Sequence, residues 1–199
     1  MCIRDRNKCI WVGGIYALSL HGFIHYLPLG QETLTLYGQS KTQLPKWFRN
    51  HDWQVNLQWQ TTDMLSVPDV PLCQWPGIVE RQVQGISVLS SSPERAVLEM
   101  LHGVPSKWSF DFAAETLQGA TNLSPRKLQN LLEQCRNIQV KRLFLFLADY
   151  HDHPWFKRLD ISRIELGSGK RQIVRDGVFD SQWNITVPSH YQMSKGSLH

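Results

Sequence analysis

The sequence has no apolar run near the roughly 18 residues that span a bilayer. Its longest, Leu143 to Ala148, is bounded by Lys141, Arg142 and Asp149, so no membrane helix and no membrane partner are expected. Cysteine is scarce. The four, at positions 2, 9, 73 and 135, form no CxxC pair, which argues against a disulfide framework or zinc ribbon and fits a reducing cytoplasm. Met1 to Lys8 is polar and charged with no apolar segment, so no secretory signal is read there. Internal repeats, low-complexity tracts and GxSxG nucleophile elbows are also missing.

Apolar residues make up 42% of the 199, with eight Trp and eight Phe, enough for the interior of one large domain or two small ones. Charged residues make up only 19%, and the net charge is +4. The basic excess is concentrated: Ser124 to Arg175 holds eleven Lys and Arg against five acidic residues, while the rest of the chain is slightly acidic. Gathered on one face, these cations could hold phosphates.

Strand patterning occurs at Thr33–Tyr37, Trp53–Thr61 and Gln84–Leu89, with short helices at Trp11–Gly22 and around Leu44–Phe48. Prolines at 68, 71 and 76 mark a loop or sheet edge. Ser92-Pro93-Glu94 and Ser124-Pro125 are helix starts. Four helices are expected between about residues 92 and 150, the last with Lys141 and Arg142 on its polar side. Arg171–Arg175, Asp176-Gly177 and Val178-Phe179 read as a strand, turn and strand, with a further strand at Trp183–Val187. The fold class is therefore α+β, with strands and short helices, a helical subdomain and a C-terminal β-hairpin. The expected divisions are a non-native or truncated leader (1–10), an α/β portion (11–90), a helical portion with the hairpin (91–188) and a frayed tail (189–199).

Chemical motifs are incomplete. Gly167-Ser168-Gly169-Lys170 lacks the first glycine and final hydroxyl of a phosphate loop, with Ile164 and Arg171 in those places. His151 and His153 have no third ligand at zinc spacing and read as a surface helix end. Asp160, Glu165 and Lys170 are the one carboxylate–lysine group that a divergent metal-dependent nuclease could use. The helices near 112–118 and 124–132 have helix-turn-helix proportions, and Arg126, Lys127, Gln129 and Asn130 could reach phosphates and bases. No catalytic residue, metal or cofactor is assigned.

Six segments, in order, resemble the AbiEi family of antitoxins from type IV toxin–antitoxin systems. They are Gly22-Phe-Ile-His-Tyr-Leu-Pro-Leu-Gly30, Leu44-Pro-Lys-Trp-Phe48, Ser92-Pro-Glu-Arg-Ala96, Val140-Lys-Arg-Leu-Phe144, His153-Pro-Trp-Phe156 with Leu159-Asp160, and Leu166-Gly-Ser-Gly-Lys-Arg-Gln-Ile-Val174. The resemblance implies a bacterial cytoplasmic antitoxin in abortive phage infection, without enzymatic activity. It would counter a nucleotidyltransferase-like toxin without an obligatory stable complex. It also implies autoregulation through an N-terminal winged helix-turn-helix bound to operator DNA. This chain begins where the C-terminal antitoxin domain would begin, so that module is expected to be missing. The candidate surface for nucleic acid or antitoxicity is Lys141, Arg142, Lys157, Arg158, Lys170 and Arg171, with a turn held by Asp160 or Glu165 as the alternative role for Lys170 and Arg171.

Overall fold

A computed structural model describes residues 9–24, 33–39, 43–66, 68–83 and 85–192. Residues 1–8 of the expected leader, 25–30 of the first family-like segment, Gln84 of the third expected strand and 193–199 of the tail lie outside the described residues. The chain divides into two compact units between Val97 and Leu98.

The first unit is a mixed five-stranded sheet. Its strands are β1 (Ile10–Val12), β2 (Thr33–Gln39), β3 (Asn56–Thr62), β4 (Ile78–Val83) and β5 (Ile86–Ser91), in the order β3-β2-β1-β5-β4. Helix α1 (Gly14–Leu20) follows β1, and α2 (Lys46–Asn50) lies between β2 and β3. Alternation separates the faces, because successive strand side chains point opposite ways. Trp11 and Tyr37 are register partners packed with Trp75 and Ile78, while the next pair, Val12 and Leu36, packs with Leu44 and Phe48. Gly38 has no side chain because the Trp59 ring occupies the place of its Cβ. The expected helix from Trp11 begins instead at Gly14, after a three-residue strand that includes Ile10 of the expected leader. Strand β4 occupies the sheet edge beyond the three prolines.

Helix α3 (Pro93–Leu101) carries the chain into the second unit, which contains α4 (Phe110–Gln118), α5 (Pro125–Gln134) and α6 (Ile138–Tyr150). Ser109 Oγ accepts from the Phe112 N–H at 3.1 Å and Asn137 Oδ1 from the Val140 N–H at 3.0 Å, capping α4 and α6. Leu128, Leu131 and Leu132 form the buried stripe of α5. Helix α6 is buried on all sides from Val140 to Ala148. Beside it lies a three-stranded sheet, order β6-β8-β7, of β6 (Arg171–Gln172), β7 (Val178–Asp180) and β8 (Ile185–Val187).

The C-terminal hairpin is therefore β7–β8. Asp176 makes the expected turn with φ +55°, but β6 pairs with β8 in parallel and not with β7. Residues 189–191 are not frayed: they form a 3-10 turn, and Tyr191 packs on Phe110 and Tyr150 at centroid distances of 4.9 and 5.1 Å. Burial and the Asp111 carboxylate raise the Tyr191 hydroxyl to about 12.

Candidate nucleic-acid interface

The six cations expected on one surface divide into two kinds. Lys141 and Arg142 are each only 2% exposed, which corrects their assignment to a surface. The Arg142 guanidinium donates through Nε to the Leu166 carbonyl at 2.8 Å, through Nη2 to Gly167 at 2.9 Å, and through Nη1 to Gly169 and to Asn184, the latter at 3.1 Å. Gly167 and Gly169, at φ +63° and +76°, adopt the left-handed backbone that glycine takes at little cost, and this turns the loop around the guanidinium. Burial, and secondarily the Arg171 charge, lower the Arg142 pKa. The family-like Val140–Phe144 and Leu166–Val174 segments thus meet as one fastening. Lys141 lies near Cys135, whose thiol burial pushes up against the opposing influence of the Asn137 backbone and the Lys141 charge.

Lys157, Arg158, Lys170 and Arg171 are exposed. Their two short segments share a scaffold: Phe156 packs edge-on to Trp183 at 6.2 Å, and the Asn184 carbonyl accepts from the Arg171 N–H at 3.0 Å. Lys170 Nζ lies 4.5 Å from the Phe179 ring centroid, so neither Asp160 nor Glu165 holds it. Lys157 pairs with Asp152 at 2.9 Å, an exposed contact that contributes little. Among the described residues Arg158 has no ion pair.

The helix-turn-helix set is also reassigned in part. Gln129 clamps the Asp160 peptide, its Nε2 donating to the Asp160 carbonyl at 3.1 Å and its Oε1 accepting from the Asp160 N–H at 2.9 Å. It is therefore engaged in the fold and is removed from the base-reading set. Asn130 accepts from Gln134 on the same helix, while Arg126 and Lys127 stay exposed without ion pairs among the described residues. The clamp, with the Arg163–Glu133 pair at 3.0 Å, holds α5 beside residues 160–163. The sequence offered no signal for this side-chain-to-backbone contact.

Of the nuclease candidates, Asp160 has other work. The Asp160 carboxylate caps the 3-10 turn at 161–163, accepting from the Ser162 N–H at 3.1 Å and from its hydroxyl. Among the described residues, no group of three His, Cys, Asp or Glu side chains is placed to hold a metal.

His153 is not at a surface helix end. It is 3% exposed, stacked on Trp155 at 4.7 Å, and its Nε2 contacts the Leu117 carbonyl at 2.8 Å, which fixes the proton on that nitrogen. Burial lowers the pKa of both His151 and His153. The effect on His151 is increased by His153 and opposed by the Ala114 carbonyl, and that on His153 is opposed by the Leu117 carbonyl and Asp152. Each imidazole is then harder to protonate in the fold than in the unfolded chain, which takes up protons first as pH falls. Their contribution to stability is full above the ordinary histidine value of about 6.5 and declines as pH drops from there towards the folded-state values. Thermal melts between pH 7.5 and pH 5, on the order of those limits, should show a falling Tm, and His153→Gln should flatten the fall.

A sequence model described as transcriptional regulator, AbiEi antitoxin, type IV TA system matches residues 31–188, well over half of the chain. The chain belongs to the AbiEi antitoxin family. The matched span contains the Arg142 fastening and the exposed cations around it. The crystal structure of the RV2827C protein from Mycobacterium tuberculosis resembles this AbiEi-family chain with a TM-score of 0.58 at 14% identity, covering 92% of this chain and 63% of that one. This chain therefore spans less than two thirds of that protein's length, and the likeness concerns the fold. A search of curated proteins returns no match. Among the described residues, no helix is long and apolar enough to cross a membrane.

Proposed function

We propose that this chain carries the antitoxicity of a cytoplasmic, non-enzymatic AbiEi antitoxin that counters a nucleotidyltransferase-like toxin encoded beside it. It does so without an obligatory stable complex with the toxin. The observation that carries this reading is the set of exposed cations, Lys157, Arg158, Lys170 and Arg171, on two segments anchored on the 183–184 turn. An exposed cation set suits phosphate, and shielding the toxin's RNA substrate would protect without toxin binding. The same surface could support binding of operator DNA through its phosphates and so contribute to autoregulation.

The test is co-expression of the chain with the nucleotidyltransferase toxin from the same locus, followed by growth. The proposal expects rescue by this chain. Continued growth arrest beside a well-expressed, folded chain would oppose it.

A further inference from the structure

Helix α2 in the first unit is a short surface helix with Phe48 as its buried residue, while Lys46, Trp47, Arg49 and Asn50 are exposed. Trp47 is 57% exposed, so much of a large aromatic surface is open to solvent. Its placement is built. Phe48 anchors the helix in the core, Trp53 packs on Phe48 at 4.5 Å, and the Trp53 indole N–H donates to the Phe48 carbonyl at 2.8 Å. His51 packs edge-on against Trp53 at 4.5 Å. The Trp53, Trp75 and Trp155 indoles each donate to a carbonyl, whereas the Trp47 N–H, like those of Trp59 and Trp108, has no acceptor among the described residues. Lys46 and Arg49 likewise have no ion pair among the described residues. The nearby Asp52 carboxylate accepts from the Gln54 N–H at 3.1 Å.

We propose that α2 is a single-stranded nucleic-acid contact, in which an unpaired base stacks on Trp47 and the flanking phosphates meet Lys46 and Arg49. Charge complementarity selects a polyanion, and an indole between two unneutralised cations suits one whose bases are free to stack. A five-residue helix is too short to read a major groove, and the bases of a duplex are already stacked, so a single strand is the better fit. This contact lies in the other unit from the Lys170 surface and does not depend on it.

The full chain is titrated into fluorescein-labelled oligothymidine of about 20 nucleotides and into an abasic oligomer of the same length. Wild-type protein should prefer the base-bearing strand, and Trp47→Ala should weaken that binding about tenfold while leaving abasic binding unchanged. Lys46→Ala with Arg49→Ala should reduce the log–log salt slope by about 1.4. Lys170→Ala with Arg171→Ala should retain the preference for bases, which separates failure of this contact from failure of the antitoxicity surface. Unchanged near-ultraviolet circular dichroism confirms that each variant is folded. Equal affinity of folded Trp47→Ala and wild type for oligothymidine would overturn the proposal. So would equal wild-type affinity for the base-bearing and abasic strands, or Trp47-dependent binding to anionic lipid vesicles without binding to oligothymidine.

Discussion

Arg142→Ala should unfold the second unit or destabilise it by about 3–5 kcal/mol, the range for breaking a buried charged network. Four carbonyls, of Leu166, Gly167, Gly169 and Asn184, now share one guanidinium. Truncation removes the charged donor from all four, only the Asn184 carbonyl keeping a second one in the Arg171 N–H, and it opens a space beside α6. Arg142→Lys keeps the charge but lacks the planar set of five N–H donors, so it should recover only part of the loss. Guanidinium denaturation of the chain, followed by Trp fluorescence, measures both variants. A folded Arg142→Ala with wild-type stability would show that the fastening is dispensable. The same result bears on function, since any loss of protection caused by Arg142→Ala would follow from unfolding and reveal nothing about a nucleic-acid surface.

Trp155→Ala should cost about 3–5 kcal/mol, as for large aromatic truncations in cores. The ring is 3% exposed, packs between Phe144 at 5.6 Å and His153 at 4.7 Å, and donates its indole N–H to the Ala120 carbonyl at 2.9 Å. Its removal creates a cavity and an unsatisfied carbonyl together. Trp155→Phe keeps much of the stacking and loses the hydrogen bond, so it should fall between wild type and alanine in the same denaturation assay. Equal stability of the alanine and phenylalanine variants would mean that ring packing contributes nothing.

Period and capping made the helices from residue 93 to 150 legible, because Ser-Pro starts and leucine stripes are local signals. Two of the strands, β2 and β3, followed from alternation in the same way. The partner of Asp176-Gly177 was not legible: the turn formed where expected, but parallel pairing of β6 with β8 depends on contacts distant in sequence. The larger difference concerns Lys141 and Arg142. Charge on a helix ordinarily marks the face toward water, yet here the whole circumference of α6 is covered. The available signal was the run Leu143 to Ala148, apolar on every face, next to an arginine whose fork of donors suits carbonyls. The alternative role for Lys170, a turn held by Asp160 or Glu165, gives way to a contact with Phe179, a residue nine positions away across a turn.

The assignment of antitoxicity to exposed cations and of stability to buried ones is tested most directly in the toxin co-expression assay. The variant replaces Lys157, Arg158, Lys170 and Arg171 together with alanine and leaves Arg142 in place. The predicted result is a chain with near wild-type stability, since exposed charges contribute little to folding, that no longer protects cells. Full protection by that folded variant would contradict the account.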